Sequence, residues 1–125
     1  MIDHVSVAVR DLARSAAFYE RLLAPLGYTR LVERPASIGF GKKYPELWLN
    51  LRADMSAAPT NPGSHVALRA SSVEAVRAFH AAALAGGGAS AGEPGPRQAA
   101  MTTYFGAFVL DPDGNKLEAM SFPAA

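Results

Sequence analysis

The sequence predicts an α+β fold that contains two copies of one βαβββ unit. Residues 4–27, HVSVAVRDLARSAAFYERLLAPLG, change from alternating apolar positions to helical spacing. Residues 65–88, HVALRASSVEAVRAFHAAALAGGG, do the same, and strand-like runs follow each segment. The two segments align without a gap at an offset of 61 residues, which pairs His4 with His65. This match is informative because the chain has only three histidines, and it indicates an internal repeat.

The first unit begins with a half-buried strand in which Val5, Val7 and Val9 form one face. Asp11 is a suitable N-cap for the helix that follows, and Gly27 is expected to end that helix. Three strand-like runs come next, and they read YTRLVE, SIGFG and LWLNLR. The first module therefore covers about residues 1–52.

The second unit repeats this order over about residues 64–122. Ser71 and Glu74 have the spacing of a capping box at the start of its helix. The glycine- and proline-rich segment 86–100 is interpreted as a long flexible loop that could enclose a short strand. The clear strands are TYFGAFVL and NKLEAMSF, and the DPDG turn between them joins two antiparallel strands.

One domain accounts for the whole chain, since 125 residues are close to the usual domain size. Residues 53–63, ADMSAAPTNPG, are interpreted as the linker between the modules. The formal net charge of +1 gives no electrostatic footprint for nucleic acid, and the short apolar runs do not predict a membrane span. The absence of cysteine fits a reducing compartment, so a cytoplasmic location is the default expectation.

Strand alternation places a set of polar, aromatic and small residues on the sheet face opposite the helices. This set is His4, Ser6, Ala8, Trp48, Asn50, His65, Ala67, Tyr104, Gly106, Phe108, Glu118 and Met120. The two repeat-related histidines and a lone glutamate therefore share one face. Small residues beside large aromatic ones leave room for a ligand between them.

His4, His65 and Glu118 together form a sensible ligand set for Zn²⁺, Mn²⁺, Fe²⁺ or Ni²⁺. Three protein ligands leave coordination positions open for water or substrate, as a catalytic metal site requires. Each residue alone also has an ordinary explanation. A histidine at a strand start is commonly half-exposed and bonded to backbone, and a strand glutamate commonly reaches solvent or an arginine.

These residues occur in segments that resemble the vicinal oxygen chelate superfamily, the group of glyoxalase I, extradiol dioxygenases and bleomycin-resistance proteins. The resembling segments are IDHVSVAVRDLARSAAFYERLLAPLGY, HVALRASSVEAVRAFHAAALAGGG and YFGAFVLDPDGNKLEAM. The resemblance implies paired βαβββ modules whose mixed sheet curves around a metal-lined cavity. It also implies a homodimer, in some members with sites shared between chains.

The resemblance assigns metal ligation to His4, His65 and Glu118. The place of a fourth glyoxalase ligand falls on Trp48, which cannot bind metal. Glu46 shares the strand parity of Trp48 but follows a predicted turn at Pro45, so it is interpreted as a solvated loop residue. The acid–base tyrosine of the extradiol dioxygenases falls on a phenylalanine, Phe108. His80 pairs with Tyr19 in the repeat and is expected to lie on the surface of its helix.

Two functions remain open from the sequence. The first is a metal-dependent lyase, isomerase or oxygenase that chelates a small molecule with two adjacent oxygens, with Tyr104 as the candidate catalytic residue and Trp48, Asn50, Tyr104 and Phe108 around the substrate. The second is a metal-free protein that binds or sequesters a small molecule, such as an antibiotic, between aromatic walls. Arg97 could clamp an acidic group in that case, although a solvated loop charge is the simpler interpretation.

Overall fold

The computed structural model describes residues 1–57 and 63–122. The elements follow the predicted order, and the predicted linker at 53–63 includes residues 58–62, which lie outside the described residues. In chain order the elements are β1 (Val5–Val9), α1 (Leu12–Leu23), a 3₁₀-helix (Ala24–Leu26), β2 (Thr29–Arg34), β3 (Ser37–Gly41), β4 (Pro45–Leu51), β5 (Val66–Arg69), α2 (Val73–Ala85), β6 (Ala89–Gln98), β7 (Thr103–Leu110) and β8 (Lys116–Ser121).

The strands form two four-stranded mixed sheets with the same topology. The strand orders are β1-β4-β3-β2 and β5-β8-β7-β6, and neither sheet closes on itself. In each sheet the first and last strands of the module run parallel, and the other neighbours are antiparallel. Val5 pairs with Leu47 in the first sheet, and Val66 pairs with Leu117 in the second. The predicted α+β fold of two βαβββ modules is confirmed.

The apolar alternate positions of both sheets face the helices, as strand parity predicts. Val9, Leu47, Leu49, Val109 and Leu117 are completely buried there. Helix α1 packs against β4 and α2, and α2 packs against β7 and β6. One hydrophobic core therefore joins the two modules through their helices and leaves the other face of each sheet for a different use.

The helix ends follow simple capping rules, with one correction. The Asp11 side chain accepts a 3.0 Å hydrogen bond from the Arg14 backbone N–H, which confirms the predicted N-cap of α1. The predicted capping box at Ser71 is wrong, because Ser72 caps α2 by accepting a 3.1 Å hydrogen bond from the Ala75 N–H. Ser71 and Ser72 have the same side chain, so the sequence alone does not show which of them is the N-cap. The extended backbone of Ser72 is the conformation that an N-cap residue adopts. No helix in the described ranges is long and apolar enough to cross a membrane.

The segment predicted as a long loop, 86–100, is mostly the ten-residue strand β6. It pairs with β7 alone and lies at the edge of the second sheet. An edge strand tolerates Pro94 and Pro96, because one side of its backbone needs no donors for a neighbouring strand. The pairing register shifts between Ser90 and Gly92 and again between Gly92 and Gly95, so the strand is irregular. The loop prediction was wrong because it relied on the glycine and proline content of the segment. At a sheet edge these residues are compatible with a strand.

The DPDG turn holds the second module against the first. Asp113 is completely buried, and its Oδ1 accepts hydrogen bonds from Arg10 Nε at 2.7 Å and Arg14 Nη2 at 3.1 Å. Burial alone would raise the pKa of Asp113, but the hydrogen bonds from Arg10 and the charges of both arginines lower it below its usual value. This turn therefore attaches the β7–β8 hairpin to the start of helix α1.

Asp111, two residues earlier, makes a second set of contacts between the modules. The Tyr19 hydroxyl of α1 donates a 2.6 Å hydrogen bond to Asp111 Oδ2. The Asn115 amide donates to the same oxygen and to the Ala8 carbonyl of β1, each at 2.8 Å. Both aspartates of the turn thus bind residues of the first module, which fixes how the two sheets are placed relative to each other.

Candidate functional site

Glu118 lies at the centre of the polar face of the second sheet. It is 3% exposed, and each of its carboxylate oxygens has a hydrogen-bond donor. His65 Nε2 lies 3.1 Å from Oε1, and the Tyr104 hydroxyl donates a 2.7 Å hydrogen bond to Oε2. These two donors offset the cost of burying a carboxylate, which would otherwise be several kcal/mol, roughly.

Strand pairing explains why these side chains meet. Glu118 is paired with Ala67 of β5 on one side and with Phe108 of β7 on the other. His65 precedes Ala67 by two residues, so it points to the same face. Gly106 separates Tyr104 from Phe108, and a Cβ there would lie 2.8 Å from Tyr104 Cε2 and close to Glu118. The glycine therefore gives the tyrosine ring room to lean across to the carboxylate.

The environment keeps the phenolic proton on Tyr104. Partial burial, the hydrogen bond to Glu118 and the charge of Glu118 raise the pKa of Tyr104 to about 12, while the positive charge of Arg97 opposes this shift. Tyr104 is consequently a proton donor at neutral pH. A general base would need a much lower pKa.

His4 lies apart from this group. Its Nδ1 is 2.7 Å from Oδ1 of Asp3, and its side chain is half-exposed. His4 and His65 line one cleft of about 420 Å³, together with Tyr28 and Glu46. Within residues 1–57 and 63–122, no three side chains of His, Cys, Asp or Glu are grouped closely enough to hold a metal ion. One chain thus brings His65 and Glu118 together and leaves His4 outside their contact.

Glu46 differs from its predicted role as a loop residue. It is an exposed residue within strand β4, and it lines the cleft beside His4. The prediction was wrong because Pro45 was taken to mark a turn. Pro45 is instead the first residue of the strand, a position that proline tolerates.

Trp48 and Asn50 lie on the corresponding face of the first sheet. The Arg34 guanidinium carbon is 5.2 Å from the centre of the Trp48 ring, and Gly39 leaves space beneath that ring. Asn50 is paired with Ala8 of β1 and with Ser37 of β3. Both residues belong to a different sheet from Tyr104, Phe108 and Glu118, so they form a separate wall.

Phe108 is surrounded by nitrogen-containing groups. The His65 ring meets it edge-on with the ring centres 5.3 Å apart. Lys116 Nζ is 4.8 Å and the Arg97 guanidinium carbon is 6.0 Å from the Phe108 ring centre. The sequence interpretation did not include Lys116 and treated Arg97 as a loop charge. Parity alone would have placed Lys116 on this face, because it precedes Glu118 by two residues.

His80 corrects a further prediction. It was expected on the helix surface, but it is 4% exposed, and its Nε2 shares a 2.8 Å hydrogen bond with Ser90 Oγ of β6. Its repeat partner, Tyr19, is completely buried as well. The prediction was wrong because both helices turn this position towards the core, where a polar atom needs a partner. His80 lies outside the Glu118 group.

The paired βαβββ modules define a class of small α+β proteins in which one face of each open sheet is not covered by the helices. The sequence model of the Glyoxalase/Bleomycin resistance protein/Dioxygenase superfamily matches residues 1–119. This chain belongs to that superfamily. Among the curated proteins, none matches it.

Solved structures agree with this membership. A glyoxalase/bleomycin resistance protein from Albidiferax ferrireducens T118 has 34% sequence identity and a TM-score of 0.84, with 95% of this chain and 97% of that chain covered. A family enzyme from Burkholderia phytofirmans PsJN has 16% identity and a TM-score of 0.71, with 98% of each chain covered. Glyoxalase I from Zea mays has 23% identity and a TM-score of 0.70, with 95% of this chain and 45% of that chain covered. The last two likenesses bear on the fold alone.

Proposed function

We propose that this protein binds a divalent metal ion through His65, Glu118 and His4 and uses it to chelate a small molecule with two adjacent oxygen atoms. The observation that carries this proposal is the 3.1 Å contact between His65 Nε2 and Glu118 Oε1 on an open sheet face. A buried carboxylate facing an imidazole nitrogen is the start of a nitrogen- and oxygen-ligand set. The ion would be Zn²⁺, Mn²⁺, Fe²⁺ or Ni²⁺.

The donor atoms present fit such an ion in part. His65 Nε2 and Glu118 Oε1 are joined by a hydrogen bond, and the same two atoms could instead hold a cation between them. Tyr104 holds the second oxygen of Glu118 and so fixes the orientation of the carboxylate. When bound, a metal ion in this class acts as a Lewis acid that polarises a carbonyl or stabilises an enolate.

We propose that a second copy of the chain supplies the third ligand. His4 is held by Asp3 and does not belong to the Glu118 group of its own chain. Both sheets are open, so a homodimer could place His4 of one chain opposite His65 and Glu118 of the other. Trp48 and Asn50 would then arrive with His4, because they lie on the same face of the first sheet. Together with Tyr104 and Phe108 they would enclose the substrate.

Tyr104 is the residue we propose as the proton donor of this site. Its hydroxyl points at Glu118 Oε2, and its raised pKa keeps the proton on the oxygen. A ligand oxygen that entered beside Glu118 could accept the same proton as a hydrogen bond. The residue would then orient the ligand and stabilise negative charge on it.

Metal content tests the proposal directly. Protein purified without a metal-binding tag is analysed for bound elements beside His65→Ala and Glu118→Ala, with the exposed Glu93→Ala as the matched control. We expect close to one metal per chain in the wild type and the control, and little in the two site variants. Metal-free protein that takes up none of the four ions would contradict the proposal.

A mixed dimer tests whether the site is shared. His4→Ala and Glu118→Ala chains each lose the site in their own homodimers. If ligands come from two chains, a dimer of one variant with the other keeps one complete site, so about half of the metal content returns. If all three ligands come from one chain, both sites stay broken and no metal returns.

A metal-free small-molecule binder is the second candidate, and one observation favours it. Glu118 already has a donor on each oxygen, from His65 and Tyr104, so the buried carboxylate is satisfied by the protein alone. The aromatic residues Trp48 and Phe108 would serve as stacking walls. Ligand binding that persists in metal-chelating buffer, in protein without bound metal, would select this alternative.

A further inference from the structure

We infer that the ligand of this site is an anion, a small carboxylic acid with an oxygen on the neighbouring carbon, and that Arg97 and Lys116 select it. The inference rests on the proposed function, because the oxygen pair would reach the His65 and Glu118 side of the face. Its own basis is the arrangement of two cations around Phe108, which the proposed function does not use.

The Arg97 guanidinium lies next to two glycines of its own strand, Gly92 and Gly95. Arg97 is paired with Tyr104 across β6 and β7, so the two side chains share the polar face. A Cβ added at Gly95 would lie 3.2 Å from Arg97 Nη1, and one at Gly92 would lie 3.3 Å from Arg97 Nη2. The two glycines therefore leave the space that the guanidinium occupies. A loop arginine in solvent would need no such space.

The contacts of Arg97 fix its position without neutralising it. Arg97 Nη1 donates a 3.2 Å hydrogen bond to the Pro96 carbonyl, and Nη2 donates to the Glu93 carbonyl. Carbonyl oxygens carry no formal charge, so the guanidinium keeps its positive charge for another partner. Among the described residues, neither Arg97 nor Lys116 has a carboxylate within salt-bridge distance.

Lys116 supplies the second charge from the opposite side. It shares strand parity with Glu118, and its Nζ lies 4.8 Å from the centre of the Phe108 ring. Lys116 also lines a cleft of about 270 Å³ with Ser6, Ser64, His65 and Asn115. Lys116 forms no salt bridge with any described residue, so it contributes a positive charge to a cleft that also includes a proposed metal ligand, His65.

Glu118 keeps its negative charge, but among the described residues it forms no salt bridge with Arg97 or Lys116. Its carboxylate is almost completely buried, and both oxygens are engaged by His65 and Tyr104. Arg97 and Lys116 are only partly buried, so a ligand can reach them without displacing a salt bridge. A guanidinium suits a carboxylate because two parallel N–H groups match its two oxygens. A 2-oxo acid would thus present its charge to the cations and its oxygen pair to the metal side.

Paired probes that differ in charge test the inference. Pyruvate and methyl pyruvate both carry two adjacent oxygens, but only pyruvate is an anion. Binding of each is followed by NMR titration of the full chain at low salt, once in metal-chelating buffer and once after loading with the diamagnetic ion Zn²⁺. The variants are Arg97→Gln and Lys116→Gln. The control is Arg77→Gln, since Arg77 lies 5.0 Å from Phe105, which faces the helix side of the same strand.

We expect pyruvate to bind about 25-fold to 100-fold more tightly than methyl pyruvate, because the uncharged ester loses the charge-assisted contacts with both cations. Each site variant should weaken pyruvate binding by about fivefold to tenfold and leave methyl pyruvate unchanged, with Arg77→Gln close to wild type. Equal binding of the two probes, or pyruvate binding that neither site variant weakens, would overturn the inference. So would an equal loss in Arg77→Gln.

The metal content of the same samples separates the two proposals. Charge-selective binding in protein that takes up no metal would overturn the proposed function and support this inference. Metal-dependent binding that ignores both Arg97→Gln and Lys116→Gln would overturn this inference and support the metal site. Thermal unfolding of each variant confirms that the loss reflects the removed charge and not a change in fold.

Discussion

Trp48 and Glu118 occupy the same register position in the two modules. Leu47 pairs with Val5 in the first sheet and Leu117 with Val66 in the second, so the residue after each leucine points to the same polar face. One module places an indole where the other places a carboxylate. The repeat is therefore symmetric in backbone and asymmetric in chemistry, and the asymmetry restricts the proposed ligand set to three residues.

Trp48→Glu should tighten metal binding by restoring a carboxylate at the equivalent position. The added carboxylate would be the fourth ligand of the site, and we expect it to strengthen metal binding by about tenfold or more, the order of magnitude known for groups around a metal. Metal titration of the wild type and variant would measure the change, with Trp48→Gln as the uncharged control. An affinity equal to that of Trp48→Gln would show that this position does not reach the ion.

The pH dependence of stability should report the hydrogen bond between Tyr104 and Glu118. The folded pKa of Tyr104, about 12, is above the usual value of 10.0, so its contribution is complete below pH 10 and is lost as pH rises towards 12. Tyr104→Phe should remove this part of the alkaline decline. Buried Tyr19 also has a raised pKa, so the stability of the variant should still fall to some extent at alkaline pH.

Ultraviolet titration of the tyrosines gives a second view of the same contact. Arg97→Gln should raise the pKa of Tyr104 further, because the arginine charge now lowers it, and Glu118→Gln should lower it. Movement in the same direction in both variants would contradict the described arrangement.

Asp113→Ala should destabilise the fold by about 2–3 kcal/mol, since the change removes charge-assisted hydrogen bonds from Arg10 and Arg14 to a buried carboxylate. The folded pKa of Asp113 is lowered, so its contribution is present above the usual aspartate pKa and is lost as pH falls through the folded pKa. Urea unfolding at pH 7 and at acid pH would measure both effects. The exposed Asp54→Ala is the control. An equal loss of stability in this variant would contradict the proposed contribution of Asp113 to the contact between the modules.

Ser72→Ala should cost about 1 kcal/mol of stability, because Ser72 caps α2. Ser71→Ala is the matched control and should change little, because Ser71 is exposed and makes no cap bond in the described residues. Thermal unfolding of the two variants would separate them. A larger loss of stability in Ser71→Ala than in Ser72→Ala would indicate that Ser71 is the N-cap, as the capping-box spacing predicted.

Strand parity predicted the contacts within each sheet, and it could not predict those between the sheets. Alternation placed His65, Tyr104 and Glu118 on one face, and the structure brings these three together. The same rule placed His4 there, but its distance from Glu118 depends on how the helices and the DPDG turn set the two sheets. Parity carries no information about that packing.

Glycine content led to a wrong prediction for the segment 86–100, because glycine occurs both in loops and where a neighbouring side chain needs space. The glycines of 86–100 suggested a loop, whereas Gly92 and Gly95 make room for Arg97 within an irregular edge strand. Because the segment was predicted to be a loop, Arg97 was not expected to lie next to Phe108. An alternating pattern is the usual sign of a strand, and bulges had shifted it here.

The ion pair between Arg10 and Asp113 joins residues 103 positions apart, and it has a consequence for biosynthesis. When a ribosome has made the first module, the carboxylate that Arg10 and Arg14 bind has not yet been synthesised. Because the β7–β8 hairpin is synthesised after the first module, we expect these arginines to lack this partner while the first module leaves the ribosome. The two halves can therefore dock through this turn only after Asp113 has been synthesised and has left the ribosome.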